Sequence, residues 1–133
     1  MIKPDVTNRG LVGKVISEME EKGFRVMEMK MLNLSKELAS KFYEEHNGKG
    51  FFAEMIEMIT SGPVVAMVVE SDDHDDVQLG YREILGHTNP EEADEGTIRS
   101  LYGLSIGQNS VHGSDSKESA IREIEFFFGK NAI

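Results

Sequence analysis

Cysteine is missing from all 133 residues, tryptophan is missing too, and no apolar run approaches membrane-spanning length. Without cysteine there is no disulfide framework, no thiol nucleophile and no zinc cluster of the usual kind, and a reducing, cytoplasmic home is expected. The opening MIKPDVTN has no apolar signal core, so neither secretion nor membrane insertion is expected. Basic residues are scarce: 14 Lys and Arg face 24 Asp and Glu, a net charge of -10. That balance argues against a nucleic-acid partner, because neutralising phosphates needs a basic face. An anionic small ligand needs a local basic pocket instead.

What is present fits one domain over residues 1–133, large enough to bury a core. Leu11, Val12, Val15, Ile16 and Met19 recur at helical spacing up to Lys22, and Gly23 is a stop. Phe24 to Met31 alternates loosely and reads as a strand with one buried face, its methionines in the core. Ser35 is placed to cap a helix carrying Leu38, Ala39, Phe42 and Tyr43, and Phe51 to Ile59 forms the next. Val64 to Val69 is a short β-rich apolar run, Ser71 to Asp76 a charged turn, and Val77 to Leu85 a helix. Gly86 to Gly103 reads as a long irregular segment, of the kind usually kept for function or an interface, and Glu118 to Phe128 as the last helix. Few strands among many helices predict an α+β sandwich, an antiparallel sheet with helices on one face.

Common phosphate-binding loops are absent: there is neither G-x-x-x-x-G-K-[ST] nor G-x-G-x-x-G. Lys3, Arg82 and Arg99 sit beside turn signals, and each taken alone reads as a solvated surface charge. His112, within Asn109-Ser110-Val111-His112-Gly113-Ser114-Asp115-Ser116, is the strongest single candidate, since neutral imidazole is nucleophilic near neutral pH. On motif evidence alone a hydrogen-bonded turn histidine competes with it. Asp115 or Ser116 reads as a helix cap, with Glu118 at capping-box spacing from Asp115. Glu123, one turn beyond Ser119, can reach back toward His112 or stand as an exposed carboxylate. Asp72-Asp73-His74-Asp75-Asp76 invites a metal reading, but adjacent residues in a turn rarely converge, and no metal is assigned there. His46 and His87 read as surface residues.

Taken together the segments resemble the nucleoside diphosphate kinase family over nearly the whole chain. The signature N-x-x-H-[GA]-S-D is met by Asn109, His112, Gly113, Ser114 and Asp115, and K-P-D by Lys3, Pro4 and Asp5. Arg9 to Gly13, Tyr43, Phe51-Phe52, Ser61 to Val64, Thr88-Asn89-Pro90, Gly96 to Arg99 and Ser119-Ala120 follow in family order. The resemblance implies transfer of the γ-phosphate of a nucleoside triphosphate to a nucleoside diphosphate by ping-pong kinetics, with His112 becoming phosphohistidine. Glu123 then orients the imidazole, with Ser114 nearby. Lys3, Tyr43, Arg82, Thr88, Arg99 and Asn109 match positions that hold phosphates and sugar, and Phe51, Met55 and Ile106 match those that sandwich the base. Gly113 is expected to leave room for the ring and its phosphate. Mg2+ is implied as arriving with the nucleotide. The implied fold is a ferredoxin-like sandwich with a four-stranded antiparallel sheet, and the implied assembly a homo-oligomer, hexamer or tetramer. A family member that has lost turnover and acts as a regulatory or scaffold protein is the alternative.

The chain departs from the family at identifiable points. The family's first strand begins several residues before the lysine, whereas here Lys3 is the third residue, so a truncated first strand is expected. Ser100-Leu101-Tyr102 stands where Gly-Asp-Phe is usual, and Ser110 where an apolar residue is usual.

Overall fold

The structure, a computed structural model, describes residues 1–129. Its elements run α1 (Pro4–Thr7), α2 (Val12–Glu21), β1 (Arg25–Leu32), α3 (Lys36–Phe42), α4 (Phe52–Ile59), β2 (Val64–Glu70), α5 (Val77–Leu85), α6 (Ile98–Tyr102) and α7 (Lys117–Phe128), with single 3-10 turns at Glu44–His46 and Pro90–Glu92. Local chemistry explains most of the boundaries. Ser35 accepts the Leu38 N–H at the start of α3 and Asp76 the Leu79 N–H at the start of α5. α2 ends where Gly23 takes φ +93°, a conformation a side chain would oppose. Ser116, not Asp115, caps α7 by accepting the Ser119 N–H at 3.1 Å, while Asp115 accepts the Ser119 hydroxyl. The expected pairing of Asp115 with Glu118 is therefore replaced by contacts of Asp115 and Ser116 with Ser119.

β1 and β2 pair antiparallel, in a register that sets Met29 against Met67 and Leu32 against Val64, with a bulge at Val26/Glu28. A four-stranded sheet was expected, and these two are the strands among the described residues. The other two positions are single bridges: Ile2 pairs with Val65 on one side and with Val111 on the other. Pro4 explains the brevity at Ile2, because it starts α1 and lacks the N–H a ladder needs. Beyond Met1, the edge of β2 borders a cavity of ≈ 120 Å³ lined in part by Met67, Val68, Val69 and Phe127.

Helices cover both faces of the sheet, not the one face expected. Val64 and Ala66 point into a core with Ala39, Phe42, Ile59 and Phe127, while Val65 points into a second with Val15, Met19, Tyr81 and Leu85. β2 is apolar at successive positions, so each face demands cover. Val15 and Met19 are fully buried on α2, worth about 2 kcal/mol each. The methionines of β1 correct a second expectation. Met27, Met29 and Met31 are 54%, 53% and 58% exposed, and none of them joins either core. The segment from Gly86 to Gly103 is less irregular than expected. It contains the Pro90–Glu92 turn and α6, which Thr97 caps by accepting the Ser100 N–H.

Candidate active site

Ile2 is the pivot of the site. Its bridges to Val65 and Val111 set Lys3 beside Ser110, whose carbonyl accepts the Lys3 N–H at 2.9 Å. The next pair along, Met1 and His112, exchanges two hydrogen bonds: the His112 N–H donates to the Met1 carbonyl at 2.8 Å, and the Met1 amine to the His112 carbonyl at 2.9 Å. His112 is thus fixed through its backbone at the end of the bridged segment, just before α7.

Its ring is fixed as well. Nε2 lies 2.7 Å from Oε1 of Glu123, and the Ser114 hydroxyl donates to the same oxygen at 2.8 Å. Phe42 meets the ring edge-on at 5.4 Å, and Tyr43 does so at 6.1 Å. The His112 side chain is 25% exposed and that of Glu123 13%. Burial lowers the pKa of His112 and the Glu123 carboxylate opposes it, with a net result below the ordinary value. For Glu123, burial is the largest influence and acts upward. The hydrogen bond and charge of His112, the Ser114 hydroxyl and Arg122 together outweigh it, so the carboxyl titrates below its ordinary value. An ionised carboxylate only accepts, so Nε2 carries the proton and Nδ1 presents its lone pair.

Three cations gather nearby. Lys3 donates through Nζ to the Asn109 side-chain oxygen at 2.8 Å, and the Asn109 amide donates to the Thr88 carbonyl at 3.0 Å. Arg99 is buried and braces two backbone carbonyls, those of Gly86 and Val111, each at 2.9 Å. Its Nε has no protein partner. Arg82, exposed on α5, has Nη1 3.4 Å from the Gly113 carbonyl. Burial and the charge of Arg99 push Lys3 down to about 8, with Asp5 opposing. Arg99 itself falls to about 10 through burial and the charge of Arg82. Like charges that depress one another's protonation favour an incoming polyanion.

Nine of the twelve expected residues therefore share one neighbourhood: Lys3, Tyr43, Arg82, Thr88, Arg99, Asn109, His112, Ser114 and Glu123. Thr88 joins it through its carbonyl. Tyr43 is buried against the ring, and burial with the nearby Glu123 pushes its phenol up. The apolar trio is looser. Phe51 and Ile106 are 48% and 61% exposed, and Met55 is half-buried against the core. Phe51 meets His46 at 5.9 Å and Lys49 at 5.8 Å. Gly113 answers a packing need. A Cβ there would lie 2.9 Å from Leu85 and 3.1 Å from Tyr81, so the space lets α5 pack beneath the histidine segment.

Two groups were missed as participants. Asp5 accepts the Ser110 N–H at 3.1 Å, and its membership of K-P-D was the available signal. Phe42, against the ring, carried none. Elsewhere, Asp72 pairs with Arg25 at 3.0 Å and His74 stacks on Phe24 at 5.0 Å, which ties the acidic turn into the fold. Among the described residues no group of three or more His, Cys, Asp or Glu gathers to hold a metal.

An α+β chain with a carboxylate-braced histidine facing clustered cations has the make-up of a phosphotransferase. Comparison with known proteins narrows that class. The family model described as nucleoside diphosphate kinase matches residues 1–133, and the chain belongs to that family. A nucleoside diphosphate kinase from Persephonella marina is 50% identical over 133 residues, covering 100% of this chain and 93% of the relative. One from Desulforamulus reducens is 51% identical over 128 residues, covering 96% and 84%. Among solved structures, the Aquifex aeolicus nucleoside diphosphate kinase superposes with a TM-score of 0.89 at 40% identity, covering 96% of this chain and 90% of that one. A halophilic nucleoside diphosphate kinase from Halobacterium salinarum, in complex with CDP, gives a TM-score of 0.87 at 40% identity, covering 96% and 83%. These likenesses favour the enzyme over a scaffold that has lost turnover.

Proposed function

We propose that the chain transfers the γ-phosphate of a nucleoside triphosphate to a nucleoside diphosphate through a phosphohistidine at His112 Nδ1. The supporting observation is the 2.7 Å contact between Nε2 and Glu123, which leaves the other nitrogen as the nucleophile. Nδ1 attacks the γ-phosphorus, the bond to the oxygen bridging the β- and γ-phosphates breaks, and the diphosphate leaves. Glu123 meets the charge the ring gains at its Nε2–H, and Ser114 keeps that carboxylate in place. In the second half-reaction the terminal oxygen of an acceptor diphosphate attacks phosphorus and restores the imidazole. One site serves both halves, which is the origin of ping-pong kinetics.

Lys3, Arg82 and Arg99 surround the transferred group in this reading, with the Asn109 amide, the Thr88 hydroxyl and the Tyr43 phenol completing the hold on phosphates and sugar. Phe51, Met55 and Ile106 grip the base through apolar faces, which tolerates any base. Magnesium belongs to the substrate. Glu123 is engaged by His112 and Ser114, and Asp115 by Ser119, so the ion arrives on the nucleotide's phosphate oxygens and offsets their charge. With these substrates the reaction belongs in the cytoplasm. Assembly into a homo-oligomer, hexamer or tetramer, is supported by the exposed Met27, Met29 and Met31 on the edge strand β1. Light scattering distinguishes the two states and would reject both by returning a monomer.

The decisive experiment is incubation with γ-labelled nucleoside triphosphate. The expected product is an acid-labile, alkali-stable phosphoprotein that His112→Ala abolishes. Equal labelling of the variant removes His112 as nucleophile.

A further inference from the structure

Ser110, two residues before His112, is the one non-glycine among the described residues with positive φ, at +71°. It is fully buried. The Val111 N–H turns back to the Asn109 carbonyl at 2.9 Å, so Ser110 is the centre of a three-residue turn of the rare, strained, positive-φ kind. Such backbone persists only where its surroundings hold it. Two groups do so here. The Ser110 hydroxyl donates to the Asn109 carbonyl at 2.6 Å, and the Ser110 N–H donates to Oδ2 of Asp5 at 3.1 Å, across 105 positions of sequence.

Asp5 is costly to keep. Its side chain is 1% exposed, Arg9 stands 3.7 Å from Oδ2, and Oδ1 has no partner. A buried carboxylate with an idle oxygen weakens a fold that gains nothing from it. What this one secures is the direction of the chain on either side of Ser110. Upstream, Asn109 reaches Lys3 at 2.8 Å and the Thr88 carbonyl at 3.0 Å. Downstream, the Val111 carbonyl takes Arg99 at 2.9 Å, and His112 follows, bonded to Met1.

We propose that Asp5 and Ser110 are positioning residues for phosphoryl transfer, holding a strained turn that fixes the His112 imidazole relative to the cations around the phosphates. The inference rests on the reading of His112 as nucleophile. Neither residue is among those that hold nucleotide in that reading. Their influence falls on the geometry of attack, which is far more sensitive to small displacements than the affinity for a bound diphosphate. The serine at this usually apolar position thereby acquires a use: its hydroxyl ties down the same carbonyl that closes the turn.

The test is single-turnover phosphorylation of the full chain by γ-labelled nucleoside triphosphate, with nucleoside diphosphate affinity measured alongside. Asp5→Ala is expected to slow phosphohistidine formation about tenfold or more, while diphosphate affinity stays within about threefold. Asp5→Asn, which keeps an acceptor oxygen for the Ser110 N–H, recovers most of the rate. Ser110→Ala loses rate several-fold, and Ser110→Gly, which takes positive φ without strain, recovers part of it. Phosphorylation of Asp5→Ala at the parent rate overturns the proposal, as does a proportional loss of rate and affinity, which marks general damage to the fold. Should Asp5→Ala fail to fold, the serine variants decide: a parent rate in Ser110→Ala overturns it. A parent chain that forms no phosphohistidine removes the reading of His112 itself, a result distinct from any of these.

Discussion

The two ends of the proposed site, one assigned to the phosphates and one to the base, differ in how firmly they are held. At the phosphate end His112, Glu123, Ser114, Lys3, Asn109 and Arg99 are each held by hydrogen bonds of 2.7 to 3.0 Å, and Arg99 and Asn109 are buried. At the base end Phe51 and Ile106 present apolar side chains to solvent. The contrast follows from what each end must do. In-line transfer demands fixed groups, because misplacement by an ångström costs orders of magnitude in rate. A face that accepts any base needs area and little direction.

Four experiments would break or sharpen that contrast. The largest effect is expected at the carboxylate: Glu123→Ala should lower kcat about a hundredfold, and Glu123→Gln less, because an amide oxygen still accepts from Nε2. Equal losses for the two would show that the charge, not the orientation, matters. Lys3→Met should cost about tenfold or more in kcat/KM while raising stability by ~1–3 kcal/mol at pH 7, since a half-buried ammonium held at about 8 opposes folding. A variant that melts lower would refute this. The direction follows from linkage. Between about 8 and the ordinary 10.5 the unfolded chain keeps a proton that the folded chain releases, so parent stability rises with pH there, and below 8 the full penalty stands.

A pH profile of kcat/KM comes next. The alkaline limb should begin near 8 as Lys3 loses its proton, and move higher in kcat once bound phosphates hold that proton. The acid limb should lie below 6.5, because the lowered His112 pKa keeps the imidazole neutral above that point. Stability should also decline as pH falls below 6.5, where the unfolded chain takes up the proton first. A single alkaline limb near 10 would release Lys3 from its role. The smallest effect belongs to the base end: Phe51→Ala with Ile106→Ala should raise KM about three- to tenfold with kcat nearly unchanged. A loss in kcat comparable to that of Glu123→Ala would erase the distinction between the ends.

Much of this arrangement could be read from residue order. Ser35, Gly23 and the Val77–Leu85 periodicity announced their helices because caps and stops act within a few residues. Glu123 was legible because a helix turn sets its direction. What escaped was pairing across distance. Single bridges at Ile2 carry no alternating pattern; the four-stranded sheet was what the family resemblance implied, and the described residues hold two strands and two bridges. The β1 methionines looked like core because the strand's own alternation does not reveal which of its faces is covered. α6 was hidden inside a segment rich in turn residues, although Thr97 capped it. The buried Arg99 reads as a surface cation until Gly86 and Val111 supply its acceptors, and no local rule assigns Ser110 a positive φ.

The bond between the His112 N–H and the Met1 carbonyl joins positions 111 apart in a chain of 133. Closing a loop of that size is slow and comes late in folding. Glu123 lies further on still. The pairing of β1 with β2, which spans residues 25 to 70, can therefore precede the contacts that hold Lys3, Arg99 and His112, all of which wait on the segment from Asn109 to His112.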